Sequence, residues 1–226
     1  MASDTATPRP RHQPILTWTL IGLNVLVYLW DRGGNVFGTS TTFADLALRP
    51  SETVLTLYGR GDALALGKIF TSMFLHGNLG HLVGNVLFLN TFGPSVERAL
   101  SGVRFALYYL FWGVVAAAAH VYVNQGSDVP TLGASGAIGG VLGAFFILFP
   151  ASKIEVFLYV TTEAVPAWLL LGAWFVWQIL FPQQGVANWA HVGGFMAGMA
   201  TILLLGGRKG VLKLRPFADE DDEPDE

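Results

Sequence analysis

The sequence predicts an all-α integral membrane protein: a bundle of six transmembrane helices with a long membrane-associated segment between the first two. Two observations carry this expectation. The 226 residues are 52% hydrophobic and 13% charged, too apolar for an ordinary soluble domain. The apolar residues also gather into six runs, at 14–30, 79–95, 103–123, 132–149, 164–181 and 188–206. An even number of spans puts both termini on one side of the bilayer.

Residues 1–13 hold Arg9, Arg11, Pro8 and Pro10 with almost nothing apolar, and read as a disordered tail. The first run follows at once, near the short limit for a span. Asp31-Arg32-Gly33-Gly34 after it offers no small-x-small cleavage site, so the run reads as a retained helix rather than a signal peptide. From Asp31 to Lys68 apolar clusters alternate with Pro50, Gly59 and Gly61, which predicts short helices lying on the membrane. The six-helix domain is expected over 14–207. Residues 208–226 turn from basic to acidic, seven of the last eight being Asp or Glu, and are expected to be disordered.

With the N-terminus inside, the inner segments carry Arg9, Arg11, Arg98, Arg104, Lys153, Arg208, Lys209, Lys213 and Arg215. The outer ones carry Arg32, Arg49, Arg60 and Lys68. Nine against four predicts cytoplasmic termini. No Lys/Arg cluster of the kind that binds nucleic acid is present, and no repeat suggests a solenoid. The chain has no cysteine, which excludes a disulfide framework and a thiolate metal site and leaves oxygen or nitrogen as the nucleophile.

In this topology the second, fourth and sixth helices all run inward, and their first turns carry His81, Ser135 and His191. Ser135 sits among Gly133, Gly136, Gly139 and Gly140 where a polar loop becomes apolar. Such a serine is either a helix cap or a nucleophile next to N–H groups that can hold an oxyanion. Glycines 136, 139, 140 and 143 on one helix and 193, 194 and 198 on another allow close backbone approach, which would bring Ser135 and His191 to one end of a tight contact. A nucleophile and its general base require that arrangement. Asn85 lies one turn below His81 on the same face; it is either functional or an inter-helix hydrogen bond.

No carboxylate stands at this depth to complete a triad, and Asp128 on a neighbouring loop reads as solvated. A metal held by His76, His81 and His191 is disfavoured because no H-E-x-x-H pattern or adjacent carboxylate accompanies them. His120 is expected to snorkel at the interface. Glu97-Arg98, at the far end of its helix, reads as an ion pair or a cap.

Four blocks then resemble the rhomboid intramembrane serine proteases, over nearly the whole chain. They are Phe74-Leu75-His76-Gly77-Asn78 leading into His81-x-x-x-Asn85; Gly93-x-x-x-Glu97-Arg98; Gly133-Ala134-Ser135-Gly136; and Ala190-His191-Val192-Gly193-Gly194 with Gly198. The resemblance implies a dyad of nucleophile Ser135 and general base His191. It implies an oxyanion hole of His81, Asn85 and the Ser135 N–H, with His76 structural. It also implies a cofactor-free, metal-free endopeptidase in a bacterial inner membrane, embedded in lipid, that cuts transmembrane proteins near the outer end of their membrane segment.

Two departures stand out. Gly67-Lys68 occupies the place of a Trp-Arg pair, and Gly139 occupies that of an aromatic residue stacked on the histidine. The alternatives are a protease-dead binder of transmembrane segments, disfavoured because both Ser135 and His191 are present, and a small transporter, for which neither buried charge nor internal symmetry is visible.

Overall fold

A computed structural model describes residues 13–38, 42–158 and 161–213. Residues 1–12 and 214–226, which hold most of the two expected tails, lie outside it. The long helices are α1 (Ile15–Asp31), α4 (Leu79–Leu100), α5 (Gly102–Val123), α6 (Ser135–Leu148), α7 (Ala167–Leu180) and α8 (Asn188–Leu204). They fall on the six apolar runs. Short helices α2 (Pro50–Leu57) and α3 (Leu64–Thr71) lie in the first connection, and α9 (Gly207–Lys213) follows α8.

Several boundaries differ from the sequence expectation, each for a physical reason. Helix α6 starts at Ser135 rather than 132, because Thr131 is tied up in a bridge to Leu48 and Gly133 adopts φ +126°, which a helix cannot include. The fold is mainly helical as expected, with one antiparallel hairpin added, β1 (Lys153–Leu158) with β2 (Thr161–Pro166), in which Lys153 faces Pro166. Its β-branched Ile154, Val156, Thr161, Thr162 and Val165 favour pleated backbone, so α7 begins only at Ala167. The segment from 208, expected to be disordered, begins instead as α9, bent by 67° from α8 and anchored by buried Val211.

Helix α6 is the centre of the fold. Every residue from Gly136 to Phe145 is buried, so this helix, apolar all round, is wrapped by α4, α5 and α8. Its seam with α8 is made of backbone. A Cβ on Gly194 would collide with the Gly136 carbonyl, one on Gly198 with the Gly140 carbonyl, and one on Gly143 with the Phe195 carbonyl. On the α5 side, Trp112 packs against Gly140 and donates its indole N–H to Thr201 Oγ1 of α8 at 3.0 Å. At 14 residues, α6 is about 21 Å long, shorter than the hydrocarbon core of a bilayer. Among the described residues α5 alone is long and apolar enough to cross by itself, and α8 with α9 qualifies as a bent pair.

Glu97 explains how α1 is held. Its carboxylate, 1% exposed, accepts the backbone N–H groups of Leu16 and Thr17 at 3.1 and 2.7 Å and the Thr17 hydroxyl at 2.7 Å. A carboxylate at the positive end of α1 satisfies orphan donors that α1 lacks a cap of its own to meet. Of the two roles read from Glu97-Arg98, the cap is the one adopted, and Arg98 turns instead to Ser95.

The first connection is pinned at both ends. Arg32, at the end of α1, donates to the carbonyls of Gly38, His76 and Gly77 at 2.9, 2.8 and 2.6 Å. Lys68 bonds Glu52 at 2.7 Å, joining α3 to α2. Leu48 exchanges two backbone hydrogen bonds with Thr131, so this connection braces the loop that leads to Ser135. Asp128 remains exposed, but it accepts from Ser51 through its carboxylate and from Arg49 through its carbonyl.

Candidate active site

Ser135 opens α6, and His191 lies in the first turn of α8. Because the glycine seam sets these helices in backbone contact, the two side chains meet, with Ser135 Oγ 2.9 Å from His191 Nε2. The serine is not the cap of its helix; Ala134 takes that position and the hydroxyl faces the histidine. Ser135 therefore contributes one of the first backbone N–H groups of α6, which have no partner within the helix.

The opposite wall comes from α4. Its first turn is closed by Asn78, whose side chain accepts the His81 N–H at 2.8 Å. His81 and Asn85 then flank Gly133. A Cβ built on Gly133 would lie 2.6 Å from the His81 ring and 3.7 Å from Asn85 Nδ2. Gly133 is thus required twice, for its positive φ and for the space its missing side chain leaves.

His76, in the turn before α4, is fully buried. Its Nδ1 lies 3.2 Å from the Phe74 carbonyl and can only donate to it, so Nε2 accepts from Asn85 Nδ2 at 2.8 Å. Burial, reinforced by the neighbouring His81, pushes His76 down to about 4, which keeps it neutral and able to accept. One Asn85 N–H is thereby fixed on His76.

These groups line one cavity of about 780 Å³, bounded by Ser135, His191, His81, Asn85 and Trp174 and reaching the loops before α6 and α8. His120 also reaches it. It bonds Thr131 Oγ1 through Nε2 at 2.9 Å and so steadies the loop before Ser135.

The structure resolves what orients His191 where an aromatic neighbour is missing. A Cβ on Gly139 would stand 2.9 Å from the His191 carbonyl, so α6 comes too close to α8 there for a side chain. The ring is held from α7 instead. Trp174 lies against it with centroids 5.7 Å apart, and Gln178 Oε1 is 2.8 Å from His191 Nδ1. Asn188, one turn before His191, donates to the same Gln178 oxygen at 2.9 Å. Sequence reasoning missed Gln178, Asn188 and Trp174. The signal available was Gln178 itself, an amide within an otherwise apolar helix, where polar groups are costly and tend to be functional.

Residues 64–208 match the family model described as the Rhomboid domain. The chain belongs to the rhomboid family. It is therefore an integral membrane protein of mainly helical fold. Over 86% of its length it is 28% identical to Rhomboid protease GluP of Bacillus subtilis, covering 35% of that protein. It is 33% identical over 82% of its length to Rhomboid protein 1, mitochondrial, of Saccharomyces cerevisiae, covering 62% of it. It is also 33% identical over 59% of its length to Rhomboid-type serine protease 2 of Emericella nidulans, covering 25% of it. This rhomboid spans between a quarter and just under two thirds of the length of these relatives.

Proposed function

We propose that this rhomboid is an intramembrane serine endopeptidase that cleaves transmembrane protein substrates at or near the outer end of their membrane segment. The observation that carries the reading is the 2.9 Å contact between Ser135 Oγ and His191 Nε2 inside the cavity. A hydroxyl becomes nucleophilic near neutral pH only when a base within hydrogen-bond reach takes its proton.

In this reading Ser135 Oγ attacks the scissile carbonyl and its proton passes to His191 Nε2. The tetrahedral oxyanion receives the Ser135 N–H, the free Asn85 N–H and the His81 ring, donors already in place before charge develops. The imidazolium returns its proton to the leaving amine, and water activated by His191 hydrolyses the acyl-enzyme. His76 supports the site by holding the Asn85 amide.

The six long helices act as the spans. Both termini are cytoplasmic, and the first turns of α4, α6 and α8 lie near the outer surface of a bacterial inner membrane. The excess of Lys and Arg on the inner segments supports this orientation. The exposed Leu57, Tyr58, Leu64 and Phe70 of the first connection support its contact with lipid. The test is cleavage of a single-pass substrate by the protein purified in detergent, with Ser135→Ala as the control; equal cleavage by both overturns the reading.

A further inference from the structure

The hydrogen bonds around His191 form a chain whose every direction is set by one backbone group. The Gln183 N–H can only donate, and it bonds Asn188 Oδ1 at 3.0 Å. The Asn188 amide is therefore turned with Nδ2 toward Gln178, at 2.9 Å. Since Nδ2 can only donate, the Gln178 atom facing it is Oε1. The same Oε1 lies 2.8 Å from His191 Nδ1, which must then carry the ring hydrogen. What remains on the ring is the Nε2 lone pair, aimed at Ser135 Oγ.

We propose that Gln178 is a positioning residue for His191, fixing the Nδ1–H tautomer that lets Nε2 act as a base, with Asn188 locking the Gln178 amide in the orientation this requires. The proposal rests on Ser135 and His191 being the reacting pair. It answers what stands where a serine–histidine pair with a carboxylate would have its third member. A neutral amide oxygen orients the ring without placing a formal charge in an apolar environment, where an ion would incur a desolvation cost. Gln178 is 8% exposed and Asn188 4%, so bulk water does not supply the acceptor in their place.

The acceptor is also shared in a way that a substitution can separate. Gln178→Leu removes the oxygen and leaves the His191 Nδ1–H without a partner, whereas Gln178→Glu keeps an oxygen that both His191 and Asn188 can use. A loss arising only from altered packing of α7 would not be recovered by the glutamate.

The experiment is steady-state cleavage of one transmembrane substrate by wild type, Ser135→Ala, Gln178→Leu and Gln178→Glu, with ¹⁵N spectra of histidine-labelled protein. The His191 signal is assigned by its loss in His191→Ala. The expected result for Gln178→Leu is a fall in kcat of about 10²–10⁴ at little-changed KM, the range that correct general-base function contributes. Gln178→Glu recovers most of that loss, and wild-type His191 reads as the Nδ1–H form and shifts away from it in Gln178→Leu. A folded Gln178→Leu with wild-type kcat, or a wild-type His191 in the Nε2–H form, overturns the proposal. If wild type cleaves no faster than Ser135→Ala, the protease reading fails instead, and the spectra still decide the tautomer.

Discussion

Gly198 of α8 lies directly on the carbonyl of Gly140 in α6, with no room between them for a single methyl group. Backbone rather than side chain forms this contact, so neither partner can relax by changing rotamer. Gly198→Val is expected to force α6 and α8 apart, costing about 3 kcal/mol or more, at or above the upper end of typical overpacking. Because the same seam brings Ser135 to His191, thermal stability and turnover should fall together. A Gly198→Val protein that melts and turns over like wild type would show that this contact does not set the site.

Glu97 makes a prediction of the opposite kind. It caps α1 from the end of α4 remote from His81, so Glu97→Ala leaves the Leu16 and Thr17 N–H groups unsatisfied. Melting in detergent should show a loss of about 2 kcal/mol, as for other buried donors deprived of a partner. The folded fraction should keep the wild-type kcat, and a specific loss of kcat at unchanged stability would contradict the structural role.

Asn85 is a neutral amide that cannot take or give the reacting proton, so in the proposed mechanism its contribution would be one hydrogen bond to charge present only in the transition state. Removing such a donor typically costs about 10²–10³ in kcat. Asn85→Ala should show that loss with little change in KM, while remaining above Ser135→Ala. Wild-type turnover by folded Asn85→Ala would reduce Asn85 to a partner of His76.

Both ring nitrogens of His76 are engaged, by Phe74 and Asn85, and both of His191, by Gln178 and Ser135. Two of the three histidines weighed as metal ligands thus have no free lone pair to offer. EDTA is expected to leave the rate of substrate cleavage unchanged; a loss restored by added zinc would overturn this.

Much of this site is legible in the chain because glycine and histidine leave clear marks. The repeats around Gly139, Gly140, Gly194 and Gly198 announce a backbone contact, and that contact explains why Ser135 and His191 meet. That the first turns of three helices carry His81, Ser135 and His191, which line one cavity, follows from the hydrophobic runs. Gln178 stood out only as an amide in an apolar helix, and what it holds was not legible. Its partner lies on another helix, and helix rotation about its own axis is set by packing that a one-dimensional pattern does not contain. The same limit left Glu97 open between an ion pair and a cap, because its bonds reach residues 80 and 81 positions away. The hairpin of β1 and β2 was missed for a different reason: residues 164–166 continue an apolar run into α7, and only pairing with Lys153–Glu155 reveals them as strand.

The central claim, that Ser135 and His191 together form a peptidase site, is tested most directly by one measurement. A single-pass transmembrane substrate is incubated with wild type, Ser135→Ala and His191→Ala in detergent, each checked by thermal melting, and the cleaved fragment is quantified over time. The account predicts steady cleavage by wild type and background levels for both variants at unchanged melting, since the hydroxyl is unreactive without its base. Cleavage by folded Ser135→Ala at the wild-type rate would contradict it.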